Sequence, residues 1–405
     1  MDKPIAVLEI TSKALRLVVG YVIDNQVYVL YAMDSPYPHE CIDNGLIVNS
    51  AVLAEEIKKI SNINDNNAKL TIRISDVVLV LPPYGLDIFQ STQSTYVVSE
   101  QSIVQNTDIK NLNNQIYNQV IPNNNAFVDI IPDQFVLQGG VIYTKPPIGV
   151  ESNSIIMTAK IHTLPTHIIN EYREAVKAAN INVKRVMVAS FGASELISSL
   201  EGIPDSYILM DIGSRMTTLS LVGNKQLFGT VYFAWGGDNI TQNIAKKLEI
   251  NEADAEKFKL MYGYDTRKMN FEPVVCTSIL EDGTEIKHHV QELNAAIKEQ
   301  LDELVSKITS GVADLLKDYD QSYKSLPIVM VGGGSLLKGL KEYVEPKIIN
   351  EKIYKARPTS IGARNPNYVN VLGVLKASNK YQPFVDEYRP RVSQLTRNNK
   401  QGDKE

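Results

Sequence analysis

Apolar runs that stop at acidic or glycine-bearing turns set the pattern of this chain. Ile5–Ile10, Ala14–Ile23 and the run beginning at Gln26 predict three strands, the first ending on Glu9 and Ile10 before Thr11-Ser12-Lys13. About 200 residues later the layout returns. Tyr207–Met210 runs into Asp211-Ile212-Gly213-Ser214, and the alternating Thr217–Val222 leads away again. A third strand, Phe228–Ala234, ends in Gly236-Gly237-Asp238, and Asn239 is placed to cap a helix carrying Ile240, Ile244 and Leu248 at helical spacing. Strand-turn-strand units that end in an acidic residue are common in mixed sheets, so the repeat alone does not establish a duplicated fold.

Between the two hairpins, a turn around Asn44-Gly45 precedes a helix over Ala51–Ile60, the Asn62–Asn67 stretch reads as loop, and Leu70–Leu81 as one strand. From about Gly85 to His162 short strands alternate with Gln- and Asn-rich stretches and a helix over Asp108–Val120, which predicts a small inserted α+β unit suited to contact rather than catalysis. Pro165–Ala178 is an amphipathic helix, and Val183–Ala189 a strand feeding another helix. A turn at 281–283 separates two short strands. Val290–Tyr319 holds the helical period through Leu293, Ile297, Leu301, Leu304 and Ile308, a core stripe. Pro327–Leu340 reads as a buried strand, the turn Gly332-Gly333-Gly334, Ser335 as N-cap, and a helix. Asn367–Ala377 is a last helix before a polar, proline-broken tail.

Composition narrows the classes. A chain of 405 residues with 44% hydrophobic content can bury more than one core. Net charge −5 and no long basic run argue against a nucleic-acid partner. Cys41 and Cys276 form no CxxC pair, which fits a reducing cytoplasm. No signal-peptide pattern opens the chain, and no run reaches the roughly 20 apolar residues of a membrane span.

Familiar catalytic motifs are missing: there is no GxxxxGK[ST] loop, no GxGxxG near the N-terminus, no GxSxG elbow and no HExxH. His288-His289 places adjacent rings on opposite faces of a strand, and both are expected to be solvated. Glu256 and Lys259, three apart, form an ordinary surface pair if taken alone. Glycine turns and helix N-termini offer backbone donors to phosphate, and a bare triple glycine lets a flat ring approach. No single turn is specific; their order along the chain is.

That order resembles the actin, sugar kinase and heat-shock chaperone superfamily, and within it the bacterial FtsA family. The resemblance rests on Asp211-Ile212-Gly213; on Gly236-Gly237-Asp238 with Ile240-Thr241 and Ile244-Ala245; on Ala255-Glu256 with Lys259 and Tyr262-Gly263; and on Gly332-Gly333-Gly334 followed by Ser335–Leu340. Pro147-Ile148-Gly149 and Ile161-His162 resemble that family's subdomain 1C.

The resemblance implies an α/β, actin-like fold, a duplicated ribonuclease H-like pair of lobes with a nucleotide cleft and a small α+β insertion. It implies subdomain 1A over residues 1–83 and 164–200, 1C over 84–163, 2A over 201–235 and 311–364, 2B over 236–310, a return helix at 365–380 and a flexible tail at 381–405. It implies ATP with Mg²⁺: Glu9 and Asp211 as catalytic carboxylates, Asp211 holding the metal through water. Thr11, Ser12, Lys13, Gly213, Ser214, Arg215, Thr217, Gly236, Gly237 and Asp238 would lie toward the phosphates, and Glu256, Lys259, Gly332, Gly333, Gly334, Ser335 and Lys338 toward the adenosine. The implied partners are the C-terminal peptide of FtsZ, further copies of the chain through subdomain 1C, and a membrane surface at the division site through the tail.

Three features depart from the family pattern. The first turn, Glu9-Ile10-Thr11-Ser12-Lys13, lacks the usual glycine and has Glu for Asp; Ser214-Arg215-Met216 fill the second, with Thr218 where an Asp is usual; and Pro390 interrupts the apolar spacing of Phe384, Val385, Tyr388, Val392 and Leu395. Fewer carboxylates imply nucleotide binding with slow hydrolysis at most. A PilM-like scaffold of type IV pili fits the DIGSR and GGDNIT stretches nearly as well. A small-molecule kinase of the same fold would need a substrate-side acid or arginine that the sequence does not offer.

Overall fold

A computed structural model describes residues 4–38, 40–43, 45–65, 70–121, 124–265, 273–279, 285–319, 325–348 and 352–381. The described residues fall into two compact units, the larger within 4–90, 120–129 and 161–379 and the smaller within 91–119, 130–160 and 380–381.

In the larger unit the N-terminal half supplies β1 (Ile5–Ile10), β2 (Ala14–Ile23) and β3 (Gln26–Pro36), then the small pair β4 (Ile42–Asp43) and β5 (Leu46–Ile47), helix α1 (Ser50–Ile60), and strands β6 (Asn62–Asp65), β7 (Leu70–Arg73) and β8 (Asp76–Leu81). After an excursion through β9 (Asp87–Tyr96), α2 (Asn106–Tyr117), β10 (Asn125–Leu137), β11 (Ile142–Tyr143) and β12 (Ser154–Pro165), the half is completed by α3 (Thr166–Ala178), β13 (Asn182–Val188) and α4 (Ala189–Ile197). The second half contains β14 (Tyr207–Ile212), β15 (Thr217–Gly223), β16 (Gln226–Phe233), α5 (Gly237–Leu248), α6 (Glu252–Tyr262), β17 (Val274–Ile279), β18 (Glu285–His289), α7 (Val290–Leu316), β19 (Ile328–Val331), α8 (Leu340–Val344), β20 (Ile353–Lys355) and α9 (Val369–Lys380).

The repeat seen in the sequence is a repeat of topology. One sheet runs β13-β8-β1-β2-β3 and the other β20-β19-β14-β15-β16. In each, the first three strands form an antiparallel meander and the last two join in parallel. The parallel strands β8 and β19 read VVLVL and IVMV because both faces are covered.

Over the second sheet, α7 lays Leu293, Ile297, Leu301, Leu304 and Ile308, each fully buried. Each such side chain contributes about 1.5–3 kcal/mol relative to exposure. Two helices are buried on nearly all sides. All nine residues of α4 are buried, as are ten residues of α9. Helix α4 packs on both β13 and β16, and so lies between the two sheets. It touches α9 through Gly192 and Gly373, where a Cβ on Gly373 would overlap the Gly192 carbonyl. This backbone contact explains why neither helix shows an amphipathic stripe.

Several local expectations change. Asn62–Asp65 is a strand paired with β7, not loop, and Asn66-Asn67 lies outside the described residues. Leu70–Leu81 is two strands: Leu70–Arg73 pairs with β6 in an antiparallel hairpin, whereas Asp76–Leu81 joins β1 and β13 in the main sheet. Gly236, not Asn239, occupies the start of α5; Asn239 sits inside and its Oδ1 accepts the Gly236 N–H at 2.9 Å. Ser335 falls inside a 3₁₀ turn over Gly333–Leu336, its hydroxyl donating to Gly332 O at 2.7 Å. His288 is buried, with Nε2 at 2.8 Å from Ser278 Oγ and Nδ1 at 2.7 Å from Glu292. The turn at 281–283, Asn44 and the tail beyond 381 lie outside the described residues.

In the smaller unit, most of a sheet ordered β11-β10-β12-β9 accompanies α2. Asp108 tightens the start of that helix by accepting from the Gln105 and Val98 N–H groups.

Candidate functional site

The ends of β1, β14 and β19 surround one cavity of about 430 Å³ in the larger unit. A volume of this size lies within the range of small-molecule and cofactor sites. Its polar floor is made by the carboxylates of Glu9 and Asp211, the last polar groups of the two equivalent strands.

Asn370, on α9, joins them: its Nδ2 donates to Glu9 Oε1 at 2.8 Å and to Asp211 Oδ2 at 3.0 Å. Arg16, one strand over, adds a contact of 3.3 Å to Glu9 and 3.4 Å to Asp34. Burial pushes the Glu9 carboxyl above its ordinary range against the opposing pull of Arg16 and Asn370. Burial raises Asp211 as well, opposed first by Asn370. Asp211 makes no ion pair among the described residues.

The two turns above these carboxylates differ. In the first, the Thr11 N–H donates to Ala14 O at 3.0 Å, and the Thr11 hydroxyl adds two bonds, donating to Ala14 O at 2.8 Å and accepting the Ala14 N–H at 3.1 Å. In the second, the Gly213 N–H donates to Met216 O at 2.9 Å, while Gly213 O and Ser214 O accept the Gly237 and Asp238 N–H groups at 3.0 and 2.8 Å. The first amides of α5 are therefore already used. An ion-pair chain links the turns: Lys13 reaches Asp238 at 2.5 Å, and Arg215 contacts Asp238 at 3.5 Å and Glu40.

On the other wall, Lys259 is held by Gly237 O at 3.0 Å, Thr241 Oγ1 at 2.8 Å and Glu256 at 2.6 Å. Burial alone would raise Glu256, but the bonds from Lys259 and Thr241 outweigh it and leave the carboxyl below its ordinary value. Gly332 has φ of +77°, and a Cβ there would overlap Asp211 Oδ1 and Ile212 O. A Cβ on Gly333 would stand 2.7 Å from Asn367 Oδ1. The glycines thus bring backbone against the acidic strand end.

Of the residues singled out in the sequence, Glu9, Thr11, Ser12, Lys13, Asp211, Gly213, Ser214, Gly237, Asp238, Glu256, Lys259, Gly332, Gly333 and Gly334 line the cavity. Thr217 does not; its buried hydroxyl donates to Trp235 O at 2.8 Å, and the next residue, Thr218, faces the cavity instead. Gly236 lies behind the wall, packed so tightly on Ser214 that a Cβ would overlap its carbonyl. Ser335 and Arg215 also lie off the lining, and Lys338 turns to Met261 O at 2.7 Å. Arg16, Tyr84, Asn367 and Asn370 line the cavity without having been singled out. Asn370 carried a signal: it is a lone amide in the apolar run VNVLGVL.

Three buried polar atoms of lining residues have no partner among the described residues, the donor Trp235 Nε1 and the acceptors Asn367 Oδ1 and Asn370 Oδ1. Such an atom costs about 1–3 kcal/mol unless water or a ligand meets it. The lining cations Lys13, Arg16 and Lys259 are all engaged by carboxylates. A polyanion could enter only with a compensating cation or by taking Lys13 from Asp238. These features fit a nucleotide with a divalent metal: glycine backbone for the ring, donors of the two turns for phosphate, and the Asp211 carboxylate for the water shell of the metal. Among the described residues no group of three or more His, Cys, Asp or Glu is arranged to hold a metal ion.

Two sheets of identical strand order, with a glycine turn and two acidic turns around one cavity, define an actin-like fold. Solved structures agree on the fold: PilM in the PilM-PilN type IV pilus biogenesis complex has a TM-score of 0.58 at 18% identity, covering 92% of this chain and 97% of that one. MreB5 of Spiroplasma citri bound to ADP has a TM-score of 0.52 at 14% identity, covering 94% and 97%.

The family model for cell division protein FtsA matches residues 208–373. The chain is 25% identical over 381 residues to the cell division protein FtsA of Enterococcus hirae, covering 92% of this chain and 82% of the relative. It is 22% identical over 377 residues to that of Bacillus subtilis (strain 168), covering 91% and 82%. The chain is thus similar to cell division protein FtsA along most of its length.

Proposed function

We propose that this FtsA-like actin homologue acts in bacterial cytokinesis and holds ATP with Mg²⁺ in the cavity between its two sheets. The observation that carries the nucleotide reading is the convergence of the Gly332–Gly334 turn and both acidic turns on a single cavity. The solved MreB5 structures of the same fold, bound to ADP and to AMPPNP, support it. The division role rests on similarity to relatives named cell division protein FtsA along more than nine-tenths of the chain.

In this reading Gly332–Gly334, Glu256 and Lys259 take the adenosine side, and the turns after Glu9 and Asp211 take the phosphates. Bound Mg²⁺ supplies charge compensation for the phosphates. Asp211, without an ionic partner among the described residues, orients the metal's water. Thr218 offers a hydroxyl where a second carboxylate would activate water, so binding dominates and turnover is slow. The proposed partners are the C-terminal peptide of FtsZ, further copies of the chain through the inserted unit, and the inner face of the membrane at the division site through the tail. No helix among the described residues is long and apolar enough to cross a membrane, so the membrane contact proposed is peripheral.

Calorimetric titration of the full chain with Mg²⁺–ATP, and separately with a synthetic FtsZ C-terminal peptide, tests both parts. Binding of both is expected. Binding of a pilus N-terminal peptide in place of the FtsZ peptide would move the role to a PilM-like scaffold. The substitution Gly333→Val should weaken ATP; unchanged affinity would place the nucleotide elsewhere.

A further inference from the structure

Asn370 stands at the junction of three elements that the chain brings together from distant parts. It belongs to the first turn of α9, its backbone is pressed against Gly192 of α4, and its side chain reaches the ends of both β1 and β14. Ionised carboxylates only accept hydrogen bonds. An amide lying between two of them must therefore turn its NH₂ toward them, one N–H to each, which directs Oδ1 away. That oxygen is buried and has no partner among the described residues.

We propose that Asn370 is a positioning residue for the nucleotide site, fixing the Glu9 and Asp211 carboxylates relative to one another and, through them, the water shell of a bound Mg²⁺. The proposal rests on the nucleotide reading above. One amide nitrogen shared between the two halves makes the spacing of their carboxylates a property of α9 rather than of either hairpin. The backbone contact of Gly192 with Gly373 holds α9 in place, so the side chain cannot follow one carboxylate and leave the other without repacking two buried helices.

The test compares the full-length protein with Asn370→Leu, which keeps the branching and approximate volume but neither donates nor accepts. ATP affinity is measured by calorimetry with Mg²⁺ and again in EDTA, beside the thermal midpoint. We expect Asn370→Leu to lower affinity about tenfold or more with Mg²⁺, the size associated with loss of a hydrogen bond to a charged group, and less than about twofold in EDTA. Equal losses in both conditions, or none, would overturn the positioning role. If the wild-type chain itself binds no ATP, the nucleotide reading falls and takes this proposal with it; wild-type binding with an indifferent Leu variant sinks this proposal alone. Should Asn370→Leu not fold, Asn370→Ser keeps one donor in a smaller side chain, and an intermediate, Mg²⁺-selective loss is expected. In the swap Asp211→Asn with Asn370→Asp, an amide and a carboxylate still face each other. It should recover the midpoint relative to Asn370→Asp alone but not the Mg²⁺-dependent affinity. Recovery of both would show that only pairing, and not position, matters.

Discussion

The β1–β2 hairpin and the β14–β15 hairpin are the same object in topology and different objects in electrostatics. Each pairs six residues of its first strand in antiparallel register with its second, and each ends its first strand near an acidic side chain. Glu9 faces Arg16 on the neighbouring strand, whereas the equivalent partner of Asp211 is Thr218. The first carboxylate thus has its own cation and the second depends on an amide from α9. Both turns close on an equivalent backbone bond, Thr11 N–H to Ala14 O and Gly213 N–H to Met216 O; the first adds the Thr11 hydroxyl, and the second gives two carbonyls to α5. Duplicated strands preserve hydrogen-bond geometry because backbone pairing sets it. They need not preserve charge, which side chains at two or three positions decide.

The strongest way to break this comparison is to disturb the contact that holds α9 between the halves. Gly373→Val forces side-chain atoms into the Gly192 carbonyl, where no flexible neighbour can give way. We expect a loss of about 3 kcal/mol or more, read from the denaturant midpoint. A midpoint near wild type would show that α9 can shift, and that the shared amide does not constrain the two carboxylates.

Next comes the pair Glu9→Gln and Asp211→Asn. The first leaves Arg16 buried with Asp34 alone and should cost about 2–3 kcal/mol. The second removes a buried carboxylate lacking a cation partner among the described residues and keeps an acceptor for Asn370, so stability should stay level or rise. Its effect belongs instead to Mg²⁺–ATP binding. Equal destabilisation by the two, measured by thermal melts without ligand, would erase the electrostatic distinction.

Lys259→Met tests the wall beside the second hairpin. Three acceptors lose their shared ammonium, and the loss expected is about 2 kcal/mol by chemical denaturation. The smallest effect is expected at the link between the turns. Lys13 is half exposed, so Lys13→Met should cost about 0.5 kcal/mol at low salt and nothing measurable near 1 M salt. A loss that persists near 1 M salt would mean that the Lys13 stem holds the turns by packing, not by its ion pair.

Much of the larger unit was legible beforehand. Period-two and continuous apolar runs marked most of the strands, and the stripe on α7 marked its buried face. The carboxylates of both hairpins and the Gly332–Gly334 turn were visible because acidic strand ends and glycine runs stand out against apolar surroundings. The misreadings share a cause. Asn62–Asp65 is polar yet finds a strand partner in β7, and His288 is a ring whose burial depends on Ser278 and Glu292. Thr217 and Thr218 differ by one residue in a strand, and only the direction of the pleat decides which faces the cavity.

Local pattern therefore determined the elements, their repetition and the acidic ends of β1 and β14, since these follow from backbone geometry and burial over a few neighbouring residues. Tertiary structure decided what those ends are worth. It placed Asn370, 361 positions from Glu9 and 159 from Asp211, within hydrogen-bond reach of both. It engaged Lys13, Arg16 and Lys259 with carboxylates before any ligand arrives. Such pairings form between side chains that share no local period, so no window along the sequence contains them; only the packing of α4 and α9 between the two sheets brings them together.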